Sequence, residues 1–234
     1  MREETLRRRE EILKAAMATF GSKGYHKGPL TEIAEQVDMT HAGILHHFGS
    51  KDHLLLEVLR YRDESDVAGL DGQHIPGGID LFRHLVRTAF LNAQRAGIVQ
   101  TYAVLSAESV TDDHPARAFF EGRYRTLRSE ALEAFEALCA ERGVEVPATV
   151  RHASAAILAV MDGLQVQWLL DPGQVDLGEA SEFAIEAIVS AVLDPRPSPL
   201  GARAEVPTTD EGADAGAAVA EVVEVARAVE AAAT

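Results

Sequence analysis

Residues 30–55 read Leu30-Thr31-Glu32-Ile33-Ala34-Glu35-Gln36-Val37-Asp38-Met39-Thr40-His41-Ala42-Gly43-Ile44-Leu45-His46-His47-Phe48-Gly49-Ser50-Lys51-Asp52-His53-Leu54-Leu55, and their reading decides the fold. Ile33, Ala34 and Val37 put an apolar stripe on a helix predicted from about Thr31 to Val37. Ile44, Leu45 and Phe48 do the same for a second, from about His41 to Phe48. Only Asp38-Met39-Thr40 lies between them, room for one bend, so the two helices must cross steeply as a helix-turn-helix. Asp38 suits a left-handed backbone at the turn, Met39 plugs the angle, and Thr40 is a good N-cap for the second helix. In such a unit the second helix enters the DNA major groove. Its outward residues are His41, Ala42, Gly43, His46 and His47. Small side chains let the backbone approach the bases, and imidazoles hydrogen-bond to base edges or phosphates. On pattern alone the alternative is a helical hairpin with solvated histidines.

Outward from this stretch, a first helix is expected from about Glu4 to Ser22, with Leu6, Leu13 and Phe20 at seven-residue intervals packing over the motif. Gly21 and Gly24 are expected to end it, and Gly28-Pro29 to turn the chain into Leu30-Thr31. Ser50 is placed to cap a fourth helix from Lys51 to about Val67.

These residues carry a resemblance. Arg8-Arg9-Glu10-Glu11-Ile12-Leu13-Lys14-Ala15-Ala16, Phe20-Gly21-Ser22-Lys23-Gly24-Tyr25, Ile33-Ala34, Met39-Thr40, His47-Phe48-Gly49-Ser50-Lys51-Asp52 and Leu54-Leu55 keep an unbroken spacing that resembles the N-terminal domain of the TetR family of bacterial transcriptional regulators. The match runs over roughly 8–68, with the recognition motif at 31–50. Asp38 stands where the family usually has glycine, and Leu45 where it usually has a phosphate-contacting tyrosine, which leaves His46 and His47 as substitutes. Motif and resemblance together nominate Thr31, Thr40, His41, Ala42, Gly43, His46, His47 and Lys51 as the DNA-binding set.

The chain has 234 residues, 47% of them hydrophobic, enough for two helical domains with a core. Its net charge of −15 is unevenly spread. Residues 1–54 hold 8 basic and 8 acidic groups, so the other 14 basic and 29 acidic groups supply the whole excess. A neutral head on an acidic body still reads as a DNA binder, with Arg2, Arg7, Arg8, Arg9, Lys23, Lys27 and Lys51 available for phosphate. The single cysteine, Cys139, excludes an internal disulfide framework and a cysteine-rich zinc site, and suits a reducing, cytoplasmic compartment. No signal peptide is visible, and the longest apolar run, Ala153 to Met161, is broken by Asp162, so no membrane partner is expected. Catalytic residues, cofactors and metals are expected to be none. The serine elbow, phosphate loop, dinucleotide fingerprint and His-Glu-x-x-His helix are missing, and His41, His46 and His47 are not four apart.

Beyond Gly69, glycine and proline punctuate helical patterns at about 79–95, 98–110, 114–143, 147–170 and 176–193, with no strand-like alternation. The expected fold is all-α: an N-terminal head at 8–68 built on a three-helix helix-turn-helix core, a helical effector-binding and dimerisation body at 69–194, and an acidic, disordered tail at 195–234. A minority reading gives the tail a helix at 217–231. The last two long helices carry broad apolar faces, and the resemblance implies that they pair with their copies in a homodimer, which suits a palindromic operator. Tyr102, Ser106, Tyr124, Gln165 and Trp168 are polar-tipped positions on core-facing helices, as a pocket for a small, mainly apolar effector requires. The function implied is a ligand-responsive transcriptional regulator, a repressor released from its operator by effector. The alternative is an all-helical carrier or enzyme that keeps the helix-turn-helix as scaffold.

Overall fold

The computed structural model describes residues 2–67 and 75–196. Among these residues the chain is all helical: α1 (Arg2–Lys27), α2 (Leu30–Gln36), α3 (His41–Phe48), α4 (Lys51–Val67), α5 (Gly78–Asn92), α6 (Ala96–Glu108), α7 (Arg117–Arg142), α8 (Val150–Leu170) and α9 (Leu177–Leu193). Residues 68–74 and those from 197 onward, including the stretch 217–231 where the minority reading places a helix, lie outside the described residues.

Local chemistry sets the helix ends. Asp38 takes φ 51, the left-handed turn expected of it. The Thr40 hydroxyl accepts the Gly43 N–H at 3.1 Å and starts α3. Gly49 ends α3 with φ 77, and the Ser50 hydroxyl accepts the His53 N–H at 3.0 Å to start α4. In the body, Gly143 closes α7 with φ 65, and the Asp176 carboxylate caps α9 by accepting the Glu179 N–H at 3.0 Å.

The first helix departs from expectation in two places. Gly24 does break it, with φ 73 and ψ 174, but Gly21 lies inside it. Gly21 is where α1 meets α6: a Cβ there would sit 2.5 Å from Thr101 Oγ1 and 3.2 Å from Thr101 Cα. It is a close-approach glycine, not a terminator. Leu6 is 60% exposed, while Leu13 and Phe20 are buried. The N-terminal turns of α1 carry the same stripe past the point where a partner helix stands to cover it.

Two apolar cores result. The head core gathers Ile12, Phe20, Ile33, Ile44, Phe48, Leu54 and Leu55, and runs on into Tyr102, Leu105 and Phe120 of the body. The second joins Phe82, Phe135, Leu138, Ile157, Ile185 and Val192, with the Phe82 and Phe135 rings 4.6 Å apart. Val192, on the face expected to pair with a second copy, is therefore buried within the protomer. Val166, Leu170 and Phe183 of α8 and α9 are exposed. By length and apolarity alone α8 could cross a membrane. Here Ile157 and Met161 bury one side of it in the second core, and it also carries Asp162 and Gln165.

Candidate functional site

The outward face of α3 is uncovered. His41, Ala42 and His46 are exposed, as are Thr31 on α2 and Thr40 at the cap, while Gly43 and His47 are half-buried. Ile44 and Phe48 turn inward, and Leu45 packs partly against the head core, so no phenolic hydroxyl takes its place on the outer face. Gly43 has a structural reason besides slimness, because a Cβ there would stand 3.0 Å from Met39 Cε.

The head's basic groups sort themselves. Arg9 is committed to the fold: its guanidinium donates to the His47 carbonyl at 2.6 Å, pairs with Glu57 at 3.2 Å and lies 4.3 Å from the Phe48 ring centre. It is not available for phosphate as its sequence position suggested. Arg8 pairs with Glu11 at 2.7 Å and Lys23 with Glu32 at 2.6 Å. Among the described residues Lys27 and Lys51 stand outside any ion pair within 4.0 Å. Lys51 leans on the head itself, its ammonium 4.5 Å from the Tyr25 ring centre, and burial lowers its pKa. Burial also pushes the His47 imidazole below its ordinary pKa, with His46, Arg9 and Arg8 adding to the effect. At pH 7 the lowered pKa favours the neutral, hydrogen-bonding imidazole over the cation.

At the junction of head and body, the Tyr25 hydroxyl donates to Asp52 and the Tyr25 N–H donates to Glu108 at 2.7 Å. His114 is packed edge-on to Tyr25 and His26, with ring centres 5.3 and 5.6 Å away. Its Nδ1 accepts the Ala116 N–H at 3.2 Å and lies 3.1 Å from the Ser109 hydroxyl. The end of α1, the start of α4 and the end of α6 are joined here by polar contacts.

A partly open cavity of about 710 Å³ lies among α4 to α8. Of the five positions nominated for an effector, Tyr102, Tyr124 and Gln165 line it. The structure does not bring Ser106 or Trp168 to it. Ser106 lies one turn beyond Tyr102, bordering a separate hollow of about 400 Å³, and its hydroxyl donates to the Ala103 carbonyl at 3.1 Å. Trp168 falls one turn past Gln165 on α8, beyond the face formed by Leu158, Met161, Asp162 and Gln165. Of the large apolar side chains nearby, Phe119 and Leu85 line it, Phe82, Phe120 and Phe135 are core, and Phe90 is 37% exposed over Gly178.

Two sets of cavity residues escape sequence reading. The first is a charge network at the end of α4. Arg62, 5% exposed, pairs with Asp63 at 3.1 Å and Asp66 at 2.9 Å. Asp66 also binds Arg95 at 3.0 Å, and Asp63 binds Arg123 of α7 at 2.7 Å. The Arg62 and Arg123 guanidinium carbons stand 4.5 and 5.4 Å from the Tyr102 ring centre. On the α8 side, the Tyr124 hydroxyl donates to Asp162 at 2.6 Å, and burial raises the pKa of both groups. The second set is His84, Thr88 and Asn92, buried polar groups on one face of α5, whose spacing of four is the only trace they leave in the sequence. No group of three or more His, Cys, Asp or Glu among the described residues is arranged to hold a metal ion.

A short helix presented bare on a compact head, with a cavity in the helical body beneath it, is the arrangement of a helix-turn-helix DNA-binding regulator. Residues 12–58 match the family model of bacterial regulatory proteins of the tetR family, and residues 79–194 match that of the C-terminal domain of BetI-type transcriptional repressors. The chain belongs to the TetR family and is a ligand-responsive, DNA-binding transcriptional regulator of the repressor type. It is 29% identical over 192 residues to the HTH-type transcriptional regulator BetI of Rhizobium meliloti, a match covering 80% of this chain and 89% of that one. To BetI of Paraburkholderia phymatum it is 25% identical over 186 residues, covering 77% and 91%. Two solved structures share the fold. NalD, the secondary repressor of the MexAB-OprM multidrug efflux pump in Pseudomonas aeruginosa, superposes with TM-score 0.64 at 21% identity, covering 82% of this chain and 98% of NalD. SmeT in complex with triclosan gives 0.63 at 17%, covering 86% and 99%.

Proposed function

We propose that two copies of the chain read a palindromic operator through α3 and release it when a small, mainly apolar molecule fills the body cavity. In this reading residues 8–68 are the head and 69–194 the effector-binding and dimerising body. Thr40, His41, Ala42 and Gly43, at the start of α3, face base edges, while Thr31, His46, His47 and Lys51 meet the backbone. The observation that carries the proposal is the position of α4. It begins two residues after α3 and ends in Arg62, Asp63 and Asp66, which themselves wall the cavity. An effector seated there touches the far end of the element that holds the reading helix. It lowers operator affinity by as much as it prefers the chamber's shape in the non-binding form.

The family is one of transcriptional regulators, so no catalytic role is assigned, and the cytoplasm is the proposed compartment. The test is footprinting on DNA flanking the chain's own gene, followed by release of that DNA by candidate effectors. The expected footprint is two-fold symmetric, with half-sites about one helical turn or a multiple apart. A single asymmetric footprint, or one that survives alanine at both His41 and Gly43, would overturn the assignment of α3.

A further inference from the structure

The polar face of α5 is the part of the cavity that the charge network and the apolar wall do not explain. His84, Thr88 and Asn92 stand four residues apart and are 7%, 8% and 0% exposed. His84 Nε2 and Thr88 Oγ1 are 3.5 Å apart. The Asn92 side-chain carbonyl accepts from Arg95 at 2.7 Å, which fixes the orientation of the amide. Its Nδ2 then has no hydrogen-bond partner, and neither has His84 Nδ1. Asn92 Nδ2 carries hydrogens that call for an acceptor, and His84 Nδ1 does the same in the tautomer in which its Nε2 accepts from the Thr88 hydroxyl, so the two mark a place for an acceptor on one helix face of the cavity. Burial lowers the His84 pKa, so its ring is neutral and adds no charge there.

The surroundings select the acceptor. The cavity is lined by Asp63, Glu64, Asp66, Glu130 and Asp162 against Arg62 and Arg123, and both guanidinium groups already face carboxylates. An anionic ligand would enter a wall with an excess of negative groups. Leu85, Phe119, Leu127, Leu158 and Met161 offer the rest of a ligand an apolar seat.

We propose that His84, Thr88 and Asn92 form a polar ladder that receives the carbonyl or hydroxyl oxygen of an uncharged, otherwise apolar effector. This rests on the reading of the cavity as the effector chamber. The ladder sets specificity, and the apolar wall supplies bulk affinity.

Three probes of similar size separate the possibilities: 4-phenylbutan-2-one, n-butylbenzene and 3-phenylpropanoate. Their binding to the full-length protein is measured by calorimetry, with each variant's fold checked by circular dichroism. The ketone is expected to bind at least about tenfold tighter than the hydrocarbon or the carboxylate. Asn92→Leu and Thr88→Val should each reduce that preference, weakening the ketone relative to the hydrocarbon. Gly122→Leu serves as control, because the Gly122 backbone lines the cavity and a Cβ there meets nothing within 4 Å. It should weaken every probe by filling space. Should Gly122→Leu weaken all probes while both ladder variants bind the ketone like the parent, the ladder is wrong and an ordered water satisfies it, though the chamber stands. Binding unaffected by Gly122→Leu removes the chamber reading itself. Tighter binding of the carboxylate, or of none of the three probes, also overturns the proposal.

Discussion

Arg9 and Lys27 are both cations of the N-terminal head, yet one is tied into the fold and the other stands outside any ion pair among the described residues. Arg9 fastens α1 to the end of α3 through the His47 carbonyl, Glu57 and the Phe48 ring. Replacing it by alanine should cost the fold about 1–2 kcal/mol, mostly through the charge-assisted hydrogen bond and the cation–π contact. Chemical denaturation would register this before any DNA is added. Lys27→Ala should leave denaturation unchanged, weaken binding to every DNA sequence alike and reduce the salt slope of operator affinity by about 1. A Lys27 variant with unaltered salt dependence would remove that residue from the phosphate contacts. The buried imidazoles make a further residue-scale prediction. Burial holds His84 and His114 below their ordinary pKa, so the unfolded chain binds protons that the folded chain does not. Stability is therefore expected to fall as pH drops below about 6.5, and to go on falling until the folded values are reached. His114→Asn, which keeps an acceptor for the Ala116 N–H, should flatten part of that slope when unfolding is followed from pH 7.5 to 5.5.

At the scale of elements, the contact between α1 and α6 joins the head to the body. Gly21 faces Thr101, whose hydroxyl donates to the Met17 carbonyl at 2.9 Å, and there is no room for a side chain between them. Gly21→Val should cost about 1–3 kcal/mol by forcing two packed helices apart. A thermal melt that does not shift would mean that the helices separate freely. The same junction marks the limit of what the sequence discloses. Asp38, Thr40, Ser50 and Gly49 act on neighbours one to four residues away, so the helix-turn-helix and its caps are legible from the chain alone. Leu6 is misread because seven-residue spacing names a face without saying whether anything stands opposite it. Arg9 is misread because its partners lie 38 and 48 residues on. Tyr102, Tyr124 and Gln165 reach the cavity, whereas Ser106 and Trp168, one turn further along the same helices, overshoot it. Where a cavity ends along a helix depends on elements packed from elsewhere, and periodicity carries no record of that. The His84, Thr88 and Asn92 spacing was visible, but only an enclosing wall turns a polar stripe on a helix into a site.

For the whole molecule, α8 and α9 carry the exposed apolar surface on which the proposed second copy would pack. Phe183 is 76% exposed and Leu170 is 81% exposed, whereas Val192 is 2% exposed and belongs to the core. Phe183→Glu and Leu170→Glu should therefore give a folded protein that sediments as a monomer and no longer binds operator. Val192→Glu should simply unfold it. Dimers that persist in both surface variants would place the interface elsewhere. One feature also shapes how the molecule behaves away from its resting conditions. In the α4 ion pairs, Arg62 and Asp66 are largely shielded from solvent and Asp63 partly so, whereas the contacts that grip DNA must be made at an open surface. Mobile ions screen the second kind of interaction and scarcely reach the first. Raising ionic strength should therefore silence the protein's hold on DNA while its chamber goes on taking up small molecules unchanged. The proposed coupling through α4 would then separate into two measurable halves, uptake by the cavity and binding of DNA, in a single tube by adding salt.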